Sequence, residues 1–177
     1  NQLLRGNRTT KYNAENFSAF HSANYPVLAD VGIHIKFNTQ NILYPEVWGR
    51  ELEIHTELDM NVAILKLFPG ITAEVVGSVL DIEGLRAVIL ETFGSGNAPT
   101  GRWLTDTLKK GVERGLIIMN VTQCQAGSVD MDTYETGIAL KRTGVVGGYD
   151  ITTEAALAKL FFLMGQYSDI KDVKEQL

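Results

Sequence analysis

A single cysteine, Cys124, leaves the chain without an internal disulfide, which agrees with a reducing, cytoplasmic setting. Positive charge is also short, with 16 Lys+Arg against 21 Asp+Glu and a net charge of -5. A chain of that sign offers little to nucleic-acid phosphates or an anionic membrane surface, so neither is expected as a partner. Long apolar runs are missing too. The longest, Asn61 to Phe68 and Leu116 to Val121, fall far short of the roughly 20 residues that cross a bilayer. The opening Asn-Gln-Leu-Leu-Arg-Gly-Asn-Arg holds no signal-peptide apolar core and no initiator Met. The chain is therefore expected to be processed or part of something longer. The three histidines, His21, His34 and His55, lack metal-ligand spacing, and no metal is expected.

What is present is ordinary for a folded domain: 45% hydrophobic and 21% charged residues. The character of the chain changes near residue 58. Beyond it, short β-branched runs alternate with helical patterns, the pattern of βαβ units around a parallel sheet. Val62 to Phe68 is expected as a buried strand stopped by Pro69-Gly70, with Thr72 capping a helix to about Leu80. Arg86 to Thr92 is a second strand, Phe93 to Pro99 a loop at its carboxyl end, and Thr100 or Gly101 opens a helix reaching about Arg114. Leu116 to Val121 is a third strand, followed by the polar stretch Thr122 to Gly127. A helix over Thr133 to Arg142, a short strand at Val145-Val146, a helix capped by Thr152 or Thr153, and a last helix over Ile170 to Glu175 complete the pattern.

The first 58 residues offer less. Gln2 to Thr10 and Gly32 to Lys36 are expected as strands, with His34 an ordinary strand residue, and Ala14 to Phe20 as a helical piece. Phe37 to Trp48 reads as a crossing linker. Three such elements do not close a core of their own. The expected organisation is therefore 1–36 as the end of a preceding α/β domain, 37–58 as linker, and 59–177 as a small α/β domain with a parallel sheet flanked by helices.

Ligands of open parallel sheets bind outside the carboxyl ends of the strands, where Gly94 to Pro99 and Thr122 to Gly127 stand. Gly94 and Gly96 allow backbone N–H groups to approach a ligand, and Asn97 offers an amide that both donates and accepts. Two readings stay open for this loop: a tight turn that needs glycine, or a binding loop. A dinucleotide site has weak support, since Gly-x-Gly lacks the third glycine of that fingerprint. Cys124 has no histidine near it in sequence and reads as a small loop residue. Asp130 and Asp132 read as solvated or as capping the next helix, and Phe161 and Phe162 as core packing.

Several segments together resemble one family. They are Phe93-Gly-x-Gly-Asn-Ala-Pro99, Asn120-Val-Thr-Gln-Cys-Gln-Ala-Gly127, Tyr134-x-x-Gly137-x-x-Leu140, the run from Gly144-Val-Val-Gly-Gly-Tyr-Asp150 to Lys159-Leu160, and, upstream, Leu3-Leu-Arg-Gly-Asn-Arg-Thr-Thr-Lys11. Collinear over essentially the whole chain, they are similar to the C-terminal half of type I, bacterial-type asparaginases. The resemblance implies hydrolysis of the side-chain amide of L-asparagine, in the cytoplasm, by a homo-oligomer that needs no cofactor. It implies a threonine nucleophile from a Gly-Gly-Thr segment, and a second threonine and an aspartate from Gly-Thr-Asp-Thr, joined by a lysine that matches Lys11. Asn97 matches an asparagine that reaches into the active site of a neighbouring subunit.

Neither threonine segment occurs in these 177 residues. Leu104-Thr-Asp-Thr107 imitates the second, but it follows Lys11 in chain order and lacks the leading glycine. The isolated chain is therefore expected to be inactive. The family also has a regulatory asparagine site, whose contacts match Thr10 and Cys124, with Thr122 close by. Its arginine falls at Glu91, an anion where a carboxylate ligand needs a cation, which argues against that site here. The alternative reading from a different class is a non-catalytic module that binds a small amino acid.

Overall fold

The computed structural model describes every residue except 47, 48 and 50. The expected linker therefore lies partly outside the described residues. The chain divides into two units, Asn1–Thr56 and Glu57–Leu177.

The second unit is an α/β domain built on four parallel strands in sequential order: β6 (Val62–Lys66), β7 (Ala87–Thr92), β8 (Ile117–Thr122) and β9 (Val146–Gly147). Its helices are α1 (Ala73–Leu80), α2 (Arg102–Glu113), α3 (Glu135–Arg142), α4 (Thr153–Gln166) and α5 (Ile170–Glu175). The strands are largely apolar, and the central pair, β7 and β8, is buried on both faces. Val88, Leu90 and Ile118 point into a core with Val76 and Leu80 of α1, Leu104 and Leu108 of α2, and Leu140 of α3. Ala87, Ile89, Ile117, Met119 and Val121 point the other way, onto Ala156, Leu160 and Met164 of α4 and Val173 of α5. Local chemistry sets where the helices begin. Thr72 and Thr152 accept the N–H of Val75 and Ala155 through their hydroxyls, and the Asp169 carboxylate accepts from Lys171. The expected helix at Thr133 starts two residues later, because Asp130 holds the backbone N–H groups of Asp132 and Thr133 and the Thr133 hydroxyl in a turn.

The first unit departs further from expectation. In place of one strand, Gln2 to Thr10 holds two short ones, β1 (Gln2–Leu3) and β2 (Thr10–Lys11), separated by a 3₁₀ turn at Gly6–Arg8. The Thr9 hydroxyl donates to the Arg5 carbonyl and the Arg5 guanidinium lies 4.4 Å from the centroid of the Tyr25 ring, which folds the segment back. No helix forms over Ala14 to Phe20. There the side chain of Asn13 accepts the N–H of Glu15 and Asn16, and that of Asn16 accepts from Ser18, so local turns replace helical bonds. The chain then enters β3 (Phe20–His21), antiparallel to β2. The expected strand over Gly32 to Lys36 is instead a hairpin of β4 (Ala29–Val31) and β5 (Ile35–Phe37), with His34 in its turn. Among the described residues of this unit only Ala29 is buried.

Candidate functional site

The carboxyl ends of β7 and β8 carry two loops that hydrogen bonds lace together. Phe93 and Asn97 exchange backbone bonds of 2.8 Å in both directions, closing a tight turn around Gly94 (φ 51) and Gly96 (φ 109). Positive φ at both positions explains the glycines, and a second reason applies at Gly96. A Cβ there would lie 3.0 Å from Cγ1 of Val129 and 3.3 Å from Nδ2 of Asn120, so the turn sits flat on the strand below. The second loop holds the first: the Thr122 hydroxyl donates to the Gly94 carbonyl (2.5 Å) and the Asp130 N–H to the Ser95 carbonyl (2.8 Å). Beneath them, the fully buried Thr92 hydroxyl donates to Oδ1 of Asn120 (2.6 Å), and Nδ2 of Asn120 is buried with no partner among the described residues.

Asn97 closes this turn and is half-buried. Its Oδ1 accepts a 2.8 Å hydrogen bond from the Thr136 hydroxyl in the first turn of α3. Cys124 is exposed, and its backbone N–H donates to the Thr122 hydroxyl oxygen (3.0 Å). The Thr122 hydroxyl is thus engaged both as donor and as acceptor. Glu91, near the end of β7, accepts from the Thr153 hydroxyl at 2.7 Å and lies 3.7 Å from the Lys66 ammonium. Gln123 adds a bridge, its Nε2 donating to the carbonyls of Leu67 and Glu91. The anion at position 91 is therefore matched by a cation and a hydroxyl of its own unit.

Lys11 and Thr10 stand on β2 of the first unit, opposite Phe20 and His21, and the Lys11 side chain is exposed. Of the five residues singled out in sequence, the structure brings Thr122 and Cys124 into contact and ties their loop to the one carrying Asn97. Thr105 and Thr107 of the imitation motif lie in α2, their hydroxyls bonded to the carbonyls of Arg102 and Trp103. Asp130 is held below the usual carboxylate range by the Thr133 hydroxyl first and by the N–H of Asp132 next. Among the described residues no three His, Cys, Asp or Glu side chains stand close enough to hold a metal ion. Sequence reasoning missed Thr136, Thr92 and the buried amide of Asn120. Thr136 lies 39 residues beyond Asn97, and nothing local links the two.

Residues 61–177 match the family model of the glutaminase/asparaginase C-terminal domain, and residues 1–43 that of asparaginase, N-terminal. Over 167 residues the chain is 46% identical to the 60 kDa lysophospholipase of Mus musculus, covering 94% of this chain and 29% of that protein. It is 40% identical over 178 residues to L-asparaginase 1 of Escherichia coli (strain K12), covering 100% of this chain and 52% of that one. The crystal structure of L-asparaginase I from Vibrio cholerae O1 biovar eltor str. N16961 superposes with a TM-score of 0.91 at 43% identity, over 99% of this chain and 52% of that chain. The chain spans 52% or less of the length of each of these relatives. Motifs, parallel-sheet fold and both domain matches agree that this chain belongs to the glutaminase/asparaginase family.

Proposed function

We propose that this chain is the C-terminal portion of a cytoplasmic L-asparaginase, which hydrolyses the side-chain amide of L-asparagine to L-aspartate and ammonia without a cofactor. The observation that carries this reading is 40% identity to an L-asparaginase along the full length of the chain. In the proposed arrangement residues 1–36 end the catalytic domain, 37–58 link, and 59–177 form the second domain. Lys11 supplies the cation that lowers the cost of removing the nucleophile's proton; a hydroxyl attacks poorly until a base and a neighbouring charge assist it. Asn97 contacts substrate in the site of a neighbouring subunit, so the working protein is a homo-oligomer. A regulatory asparagine site at Thr10, Thr122 and Cys124 is not part of this reading. Glu91 puts an anion at the position of the family's arginine, and the Thr122 hydroxyl already serves two partners.

The isolated chain carries no Gly-Gly-Thr or Gly-Thr-Asp-Thr segment, and we propose that it is inactive by itself. The test is ammonia release from L-asparagine, measured for this chain alone and for the protein that joins it to those segments. The longer protein should release ammonia and the isolated chain should not exceed a blank. A second reading, hydrolysis of a lysophospholipid ester, draws support from the 46% identity to the mouse lysophospholipase. Fatty-acid release from lysophosphatidylcholine, without ammonia release from asparagine, would favour it.

A further inference from the structure

The amide of Asn97 has two ends, and only one of them is engaged. Oδ1 accepts from the Thr136 hydroxyl at 2.8 Å, while Nδ2 has no hydrogen-bond partner among the described residues. Asn97 is half-buried and its Nδ2 is not fully enclosed. A neutral amide oxygen can only accept. Once Thr136 donates to it, the free face of Asn97 is a pair of donors and not an acceptor.

Thr136 is itself held in place. Gly137 follows it, and a Cβ at that position would lie 3.0 Å from Cα of Met131 and 3.1 Å from the Asp130 carbonyl oxygen. The first turn of α3 therefore packs directly on the backbone of 130–131. That backbone is tied in turn to the turn preceding Asn97, through the Asp130 N–H and the Ser95 carbonyl. The Asn97 backbone is fixed independently by its paired bonds with Phe93.

We infer that Thr136 is a positioning residue that orients the Asn97 amide, so that Asn97 acts as a hydrogen-bond donor to an oxygen of the substrate, a carboxylate or carbonyl. This inference rests on the proposed contact between Asn97 and substrate. It adds the polarity of that contact and the residue that sets it. Without the hydroxyl, the amide is free to turn about its terminal torsion and to present its oxygen, which a substrate oxygen repels.

The experiment uses the full-length protein with Thr136→Val, Thr136→Ser, Asn97→Ala and the double variant Thr136→Val/Asn97→Ala, each assayed for ammonia release across asparagine concentrations. Thr136→Val keeps the shape and removes the donor. It should raise KM roughly threefold to tenfold, the range of one hydrogen bond, and change kcat less. Thr136→Ser should restore KM. Asn97→Ala should raise KM further, and adding Thr136→Val to it should change nothing more, because the oriented group is gone. A wild-type KM in Thr136→Val beside an impaired Asn97→Ala would overturn the positioning role and leave the Asn97 contact standing. Two defects that multiply in the double variant would also overturn it. An Asn97→Ala protein with normal kinetics would remove the contact itself, and the inference with it.

Discussion

Glycine 165 lies in the last turn of α4, where Ala in place of Gly ordinarily stabilises a helix by about 0.8–1 kcal/mol. Gly165→Ala should do the opposite. A Cβ on residue 165 would stand 2.1 Å from the Glu57 carbonyl oxygen, 2.6 Å from its carbon and 2.9 Å from Cα of Leu58. Those atoms are backbone, and the segment holding them is pinned to α4. The Asp59 N–H donates to the Phe161 carbonyl (3.0 Å), the Gln166 side chain donates to the Glu57 carbonyl (2.9 Å), and Arg86 joins Asp59 (2.7 Å) to the Met164 carbonyl (3.2 Å). Relief requires breaking some of these bonds or moving α4 off the sheet. Overpacking of this kind costs about 1–3 kcal/mol. With backbone on both sides of the clash we take the upper part of that range and, after the helix gain, expect a net loss of about 2 kcal/mol. For a chain of this size that lowers the unfolding midpoint by roughly 4–8 °C. Gly77→Ala in α1 is the internal control, since no atom of the described residues lies within 4 Å of a Cβ there, and it should raise the midpoint by about 2–4 °C. Thermal unfolding of the chain, followed by circular dichroism, separates the two. A Gly165→Ala midpoint that rises like that of Gly77→Ala would refute the close approach of 57–58 to α4.

Two further outcomes follow. Burial raises the affinity of the Asp59 carboxylate for a proton, but hydrogen bonds from the backbone and side chain of Asn61 and from Arg86, with the Arg86 charge, outweigh it and hold the group below its ordinary value of 3.8. A depressed folded-state value means that its stabilising contribution is complete above the unfolded value and fades as pH falls through the folded one. Asp59→Asn should therefore lower the unfolding midpoint at neutral pH and flatten its fall below about pH 4, read from melts at a series of pH values. Lys11→Met in the full-length protein should cut turnover by about 10²–10⁴-fold with the circular dichroism spectrum unchanged, and near-normal ammonia release would return Lys11 to the surface.

The parallel-sheet unit was legible because each element carries its own signal. Both faces of β7 and β8 are covered, so these strands open on the apolar runs Ala87–Leu90 and Ile117–Met119, and Thr72 and Thr152 mark helix starts by the hydroxyl that accepts the N–H three residues on. The first unit was not, since its elements are two or three residues long and are selected by distant contacts. Arg5 and Arg8 turn toward Tyr25, and Asn13 and Asn16 take backbone N–H groups that a helix would have used. At the site, the Gly94–Pro99 loop and its place at a strand end were readable, as was the departure at Glu91. What could not be read is how the polar groups are spent. The partners of Glu91 lie 25 and 62 residues away at Lys66 and Thr153, and that of Asn97 lies on another helix. Sequence shows which residues carry hydrogen-bonding groups; only the fold shows which are already engaged.

Whether Asn97 of one subunit completes the asparagine site of another is decided by mixed oligomers. Full-length chains carrying Asn97→Asp are combined with chains carrying Lys11→Met, subunit exchange is verified, and ammonia release is compared with that of each variant alone. In a mixed dimer one site then has its own Lys11 and its neighbour's Asn97 intact, while the other site carries both defects. Activity well above that of either parent is expected. No recovery on mixing, with exchange confirmed, would contradict it.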